Sequence, residues 1–419
     1  MMIENLKLIP ATGRVDNQFI GLRIANNEIE FHYPETYQIN EGNEKELRQD
    51  IVSILRTVSL AKTLSTDKSS YNSKHKDQYV FPIKSFLWII NDYLTYGRYE
   101  NREKIFEHGI KGKINWKKTM HSNPAISDGN IIYTDIISER KNHIDNLLTE
   151  IYFFCVQKAI DSIGWLYNIR FASDGKDYYK LFNEKKYINV INDELYHSFD
   201  DLKKIRLSNM KSIIQGLDDS MVNSKDVIFG VDSYDYVYER MIDSMFSRLR
   251  GKDKKKFNPN ATWSLLYPNA REVDSTNLRP DTILKDGEDL YILDAKYYRY
   301  GSTFKPSDLP ETTSIQKQIT YGEYVKQAKE GKFKNIYSAF IMPYNKYNNA
   351  NIDKLHENME FIGIATAEWF DKADKEKNRK IAGLLIDTKF LIDNWAKNND
   401  STVRNLVDLI SKNIGGSDE

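Results

Sequence analysis

Pro280-Asp281-Thr282-Ile283-Leu284-Lys285-Asp286-Gly287-Glu288-Asp289-Leu290-Tyr291-Ile292-Leu293-Asp294-Ala295-Lys296 is the stretch whose reading decides the fold. Two apolar runs are broken by Asp286-Gly287, the strongest short-range signal for a hairpin turn. A two-residue period along Leu290 to Tyr297 puts Leu290, Ile292, Asp294 and Lys296 on one face and Tyr291, Leu293, Ala295 and Tyr297 on the other. One hairpin thus carries two acids and a lysine, and Asp294 and Lys296 point the same way.

Carboxylates at adjoining strand ends suit a hard divalent cation such as Mg²⁺, with Mn²⁺ as a substitute, which takes oxygen ligands and keeps several waters. Such an ion polarises a phosphoryl oxygen and makes hydroxide available at neutral pH. A lysine beside it steadies the negative charge of the transition state. The pattern therefore points to phosphodiester hydrolysis, with Asp281 and Asp294 as metal ligands and Lys296 as a catalytic group. Asp-x-Lys alone reads first as surface charge on an ordinary hairpin; Pro280-Asp281, thirteen residues before Asp294 on the same hairpin, turns it into a motif.

Upstream, Tyr234, Val237, Tyr238, Met241, Ile242, Met245, Phe246 and Leu249 recur at i, i+3, i+4 and i+7. This spacing predicts an amphipathic helix from Ser233 to Arg250, with Asp232 as N-cap and Gly251 just past its end. Glu239 falls at the edge of the apolar stripe, where it can reach a cation as a third metal-binding and catalytic acid; the other reading is a solvated glutamate. Arg240 and Asp243 face outward. Downstream, Thr313 to Lys329 reads as a helix, and Asn335 to Tyr344 and Phe361 to Trp369 as buried strands, so that the sheet gains a parallel neighbour.

Helix with Glu239, strand with Asp281, strand with Asp294 and Lys296: this order resembles the PD-(D/E)xK nuclease superfamily. The resemblance implies an α/β core, a mixed sheet flanked by helices, whose first helix often carries an acid. Gln318 and Tyr321 are similar to the Gln and Tyr many members carry on the helix after the lysine, though three residues apart rather than four, and Gln318 is thereby implied as a DNA contact.

The chain has 419 residues, long enough for two or three domains, and its Lys plus Arg equals its Asp plus Glu at 60 each. A neutral total leaves nucleic-acid binding to local patches. Lys111, Lys113, Lys117 and Lys118 flank Trp116, and Lys252, Lys254, Lys255 and Lys256 follow the Glu239 helix. Each patch reads either as phosphate-binding or as solvated surface; Lys113, Lys117 and Lys118 are taken as candidate DNA contacts. Cys155 is the only cysteine, set among Ile151, Tyr152, Phe153, Phe154 and Val156, so a disulfide framework and a cysteine zinc site are excluded and a buried structural thiol is expected. The histidines lack paired spacing. Without a signal peptide or an apolar run of ~18 residues, a cytoplasmic protein with no membrane span is expected.

Three regions are expected: an N-terminal α+β domain over 1–130, a helical connecting arm over 131–230, and the nuclease core over 231–419. The first holds strands around an Asn26-Asn27 turn and helices at Glu44 to Leu64 and Ile83 to Tyr96. A long helix is expected from Ile144 to Tyr167, further helices between Asp174 and Ser224, loops at Gly251 to Ala261 and Asn345 to Asn351, and a last helix closed by Gly415-Gly416.

Further blocks carry a second resemblance. Ile20-Gly21-Leu22-Arg23-Ile24 with Ile29-Glu30-Phe31-His32-Tyr33-Pro34, then Tyr79-Val80-Phe81-Pro82-Ile83, Gly112-Lys113-Ile114-Asn115-Trp116-Lys117-Lys118-Thr119, Glu150-Ile151-Tyr152 and Leu278-Arg279-Pro280-Asp281-Thr282-Ile283 together resemble the LlaJI family of restriction endonucleases, itself similar to McrC nuclease subunits. The resemblance implies a bacterial anti-phage subunit that cuts double-stranded DNA beside a separate AAA+ GTPase or ATPase, with the N-terminal domain docking on that motor and two nuclease subunits pairing for a double-strand break. No Gly-x-x-x-x-Gly-Lys-Ser/Thr loop is present, so this chain itself is expected to bind no nucleotide. A helicase-coupled repair exonuclease and a noncatalytic activator of an NTPase are the alternatives.

Overall fold

The computed structural model describes residues 5–12, 18–26, 28–63, 82–99, 101–110, 113–122, 124–127, 130–144, 147–172, 175–217, 227–232, 234–329, 331–347, 357–370, 376–397 and 400–415. Asn27, Leu64, Tyr79 to Phe81, Lys111, Gly112, Asp174, Ser224, Ser233, residues 348–351 and Gly416, all named above, lie outside them. The chain divides into two compact units, residues 1–79 with 228–419, and residues 80–227.

In the first unit a five-stranded mixed sheet runs in the order Thr282–Asp286, Asp289–Ala295, Asn335–Tyr344, Ile381–Asp387, Met359–Ala365. The first two strands are the expected antiparallel hairpin, and Asn335–Tyr344 lies parallel to its second strand, from Asp289 opposite Asn335 to Ala295 opposite Ile341. The crossover between them holds the helix Thr312–Ala328, one residue from its expected start. Parallel strands covered on both faces read as continuous apolar runs. Accordingly Ile283, Leu290 and Ile292 pack on Tyr321 and Val325 of that helix, while Tyr291 on the opposite face stacks on Tyr337 with ring centroids 5.0 Å apart.

The run from Phe361 to Trp369 departs from the expectation of a buried strand. It forms the half-buried edge strand Met359–Ala365, antiparallel to Ile381–Asp387, and Trp369 is exposed. Ile381–Asp387, which sequence reading passed over, takes the buried parallel place beside Asn335–Tyr344.

A second sheet orders Leu6–Ala11, Glu28–Pro34, Ile20–Ala25 and Val227–Val231. Asn26, at φ 53°, begins the expected turn. Gly21 stands at φ +153°, and a Cβ there would lie 2.1 Å from the Phe229 carbonyl oxygen, so only glycine admits the last strand this close. The compact units part after residues 79 and 227. Residues 1–79 share a unit with the nuclease region because their sheet is completed by a strand some two hundred residues downstream, a distance that local periodicity does not report. Polar contacts fasten them further: Arg299 to Glu35 at 2.8 and 3.2 Å, Lys389 to Asp50 at 2.7 Å, and the hydroxyls of Thr36 and Thr388 at 2.7 Å.

The second unit packs the helices Ile83–Tyr96, Leu147–Ile163, Glu184–His197 and Asp201–Gln215, with a three-stranded sheet ordered Asn101–His108, Ile137–Ile144, Lys113–Ile114. Arg206 donates two 2.8 Å hydrogen bonds to buried Asp92, and the Tyr152 hydroxyl adds a third at 3.1 Å. Cys155 is a free, buried thiol whose ionisation burial pushes far up, as expected of a structural residue.

Asp387 ends the buried strand and caps the helix Thr388–Asn394, accepting 2.8 Å from the Phe390 amide and 3.1 Å from the Lys346 amide. Asp387→Ala leaves both amides without that partner and is expected to cost about 1–3 kcal/mol, read as a lower urea midpoint at unchanged slope.

Candidate active site

Register decides where the acids meet. Gly287, at φ 55°, turns the hairpin so that Asp286 faces Asp289, Ile283 faces Ile292 and Thr282 faces Leu293. One further step sets Asp281 across from Asp294, on the face shared by Ile283 and Ile292. Directly opposed residues of an antiparallel pair have Cβ atoms about 5 Å apart, and like charges there repel. The Ala295 amide donates to Asp281 Oδ2 at 3.2 Å, which holds the first carboxylate against the second strand. Burial, the Asp294 charge, the hydrogen bond a protonated Asp281 would share with Asp294, and the Glu239 charge together push the Asp281 carboxyl well above the usual carboxylate range.

Asp294 is buried, at 3% exposure. Its Oδ2 lies 2.7 Å from Lys296 Nζ, whereas its Oδ1 is buried with no hydrogen-bond partner. Burial alone would lower the Lys296 ammonium, but Asp294 and Asp281 overturn that and hold its pKa above the ordinary value. Two facing carboxylates, one ammonium and an orphaned buried oxygen leave a donor set that a hard cation fits.

Glu239 projects from the helix Tyr234–Phe246, which packs Tyr234 and Tyr238 against Tyr297 at 5.2 and 5.6 Å between ring centroids. Burial first, then the charges of Asp235 and Asp294, push its carboxyl up to about 7, against the pull of Lys296 and Lys317. Glu239 is therefore close enough to sense the aspartates. Among the described residues no three His, Cys, Asp or Glu side chains gather as a metal-holding group.

The helix ends at Phe246 rather than Arg250. Ser247 turns the chain by donating to the Leu249 carbonyl at 2.7 Å, and Gly251, at φ 56°, starts the short helix Lys252–Lys255. That turn brings back Lys254, whose ammonium binds Asp243 Oδ1 at 2.7 Å and also the Asp281 carbonyl. Thr282 Oγ1 donates to the same Asp243 oxygen at 3.3 Å. Asp243, expected to face outward, thus ties the Glu239 helix to the start of the hairpin. Sequence reading missed this role, although Lys254 stood out in the lysine run.

Behind the hairpin, the Tyr321 hydroxyl donates to the Arg279 carbonyl at 2.8 Å and fixes the residue before Pro280. Gln318, expected as a DNA contact, is 1% exposed and donates to the Ile292 carbonyl at 2.6 Å; it ties helix to strand and faces no solvent. Lys113, Lys117 and Lys118 belong to the other unit and are exposed there, with the Lys118 ammonium 3.3 Å from the centre of the Phe106 ring.

Beside the acids opens a cleft of about 980 Å³ that reaches Asp281 and Glu239. Among the described residues no helix is long and apolar enough to cross a membrane.

The model of the LlaJI restriction endonuclease family matches residues 19–372. No curated protein sequence matches. A solved structure described as a half-complex from a tetradecameric assembly of Thermococcus gammatolerans McrB AAA+ hexamers with bound McrC is similar at 13% identity, over 93% of this chain and 83% of that one, with a TM-score of 0.38. That likeness is distant, and no residue role is carried over from it.

Glu239 sets a pH dependence in the metal-free protein. Its folded pKa of about 7 lies above the ordinary 4.5, so the proton it binds stabilises the fold fully below 4.5 and that stability is lost as pH rises through 7. Glu239→Gln removes the titration. The variant is expected to match the parent at about pH 5 and to exceed it in melting temperature at about pH 8, measured in EDTA.

Proposed function

Because the chain belongs to the LlaJI restriction endonuclease family, we propose that it is the DNA-cutting subunit of a bacterial anti-phage restriction system, a Mg²⁺-dependent endonuclease with a PD-(D/E)xK site acting on double-stranded DNA. The observation that carries this reading is the pair Asp281 and Asp294, opposed on one hairpin, with an orphaned Asp294 oxygen and Lys296 at 2.7 Å. In it, Asp281 and Asp294 hold the cation, which when bound supplies an activated water and a polarised phosphoryl oxygen. Mn²⁺ serves in its place.

The chain's own groups do the rest. Lys296, kept charged by the two aspartates, offers its ammonium to the charge that accumulates on the phosphoryl group. Glu239, titrating at about 7, exchanges a proton at neutral pH, the property a general acid or base requires. Lys254 and Asp243 keep the Glu239 helix and the Asp281 segment in one geometry. The exposed Lys113, Lys117 and Lys118 contact DNA phosphates in the assembly.

A separate AAA+ NTPase, using GTP, completes the machine, since this sequence carries no phosphate-binding Gly-x-x-x-x-Gly-Lys-Ser/Thr loop of its own. The N-terminal region docks on it. One such site cuts one strand, so two copies of this chain meet for a double-strand break, in the cytoplasm where the DNA is.

Covalently closed plasmid, incubated with this chain, Mg²⁺, the NTPase subunit and GTP, is expected to be nicked and linearised. Asp294→Ala and Lys296→Ala should each lower the rate by about 100-fold or more with the melting curve retained. Cutting of linear but not closed DNA would favour a repair exonuclease instead. Full cutting by both variants would make the chain a noncatalytic activator.

A further inference from the structure

The cleft beside Asp281 and Glu239 has a distinctive wall. Of its charged lining residues five are basic, Arg240, Arg250, Lys254, Lys255 and Arg279, and three are acidic, Glu239, Asp243 and Asp281. Lys254 and Asp243 neutralise one another at 2.7 Å, and Arg240 is turned onto Tyr236, its Nε 3.0 Å from the hydroxyl. Arg250, Lys255 and Arg279 remain as exposed cations on the rim, around a catalytic end that is acidic. This is the charge distribution that attracts a polyanion along the rim and leaves its reacting phosphate to the carboxylates and the ion they hold.

From the same rim rises a two-stranded hairpin, Thr262–Leu265 paired with Arg271–Asp274. Asn258, before it, and Thr276, after it, both line the cleft. Hydrogen bonds from the Ser275 amide to the Ala261 carbonyl at 2.6 Å and from the Leu278 amide to the Pro259 carbonyl at 3.0 Å close its base, three residues short of Asp281. Its strands are exposed on both faces, with Trp263 63%, Leu266 76% and Tyr267 84% exposed. Large apolar side chains left in water in this way mark a contact surface. Strands of four residues reach roughly 13 Å, more than the depth of either groove of a DNA duplex.

We infer that the cleft and hairpin together form the substrate clamp: Arg250, Lys255 and Arg279 take backbone phosphates, and Trp263 and Tyr267 lie against the bases, as apolar side chains do when they stack on or wedge between them. The occupant is DNA rather than a partner protein because the hairpin's two feet are the wall of the catalytic cleft, and the cations between tip and active site match a phosphate backbone. The assignment deepens the nuclease reading and rests on it for the identity of the ligand. It also gives Lys254 a different task from its neighbours, since its ammonium is committed to holding Asp281.

The test is binding without cleavage: anisotropy of a fluorescent duplex of about 30 base pairs with the full chain in EDTA, across a salt series. Arg250→Ala with Lys255→Ala and Arg279→Ala should lower the slope of log affinity against log salt by about 0.9 for each phosphate no longer neutralised. Trp263→Ala with Tyr267→Ala should weaken binding by roughly 30-fold or more with the slope retained. All five positions are exposed, and unchanged melting curves would show that the variants fold. Both multiple variants binding like the parent at every salt concentration would overturn the clamp. A hairpin variant that binds duplex normally but no longer associates with the NTPase subunit would reassign the hairpin to protein docking and overturn its DNA role. Because no metal is present, weaker binding by these variants would stand even if the plasmid were never cut, so failure of the clamp and failure of the nuclease reading are read from separate measurements.

Discussion

Two carboxylates forced to face each other across a hairpin are the constraint on which the molecule turns. The hairpin's register, with the Ala295 amide holding Asp281, brings that carboxyl within reach of Asp294, and the surrounding sheet buries Asp294 almost completely. Repulsion of that kind is destabilising unless a proton, an ammonium or a metal ion relieves it. Lys296 relieves part of it through one oxygen of Asp294, and the other oxygen is left with no partner. In the proposed reading a bound cation relieves the rest.

Much of the first unit serves to hold that pair still. Tyr321 and Gln318 reach from one helix to two points of the hairpin, the Arg279 and Ile292 carbonyls, while Lys254 and Asp243 brace it from the other side. A side chain buried in such a contact is out of a substrate's reach. Gln318 shows the point most clearly, since a residue type that often reads nucleic acid is here used up inside the fold. The N-terminal sheet belongs to the same support, because Glu35 grips Arg299 a few residues after Lys296.

What was legible in the sequence was whatever a short window encodes. The Asp286-Gly287 turn, the alternation that aligns Asp294 with Lys296, and the periodic helices at Glu44–Thr63, Ile83–Tyr96 and Thr312–Ala328 emerged where they were expected. Pairings between distant segments left no such trace. Val227–Val231 joins a sheet made from the first forty residues, and nothing local to Val227 announces it. Ile381–Asp387 does carry a signal, an apolar run bounded by charge, that marks a buried strand. Asp243 faces inward for a reason no helical wheel contains: a wheel locates a residue relative to its own helix but is blind to a lysine that a later turn brings back.

The direct test of the account is where a metal ion sits. Crystals grown with Mn²⁺ and measured at the manganese absorption edge are predicted to show an anomalous peak between the carboxylates of Asp281 and Asp294, at the roughly 2.0–2.2 Å contacts of hard cations with oxygen, and no such peak in Asp294→Asn. Mn²⁺ absent from that position at saturating concentration, with Lys296 still on Asp294, would contradict it.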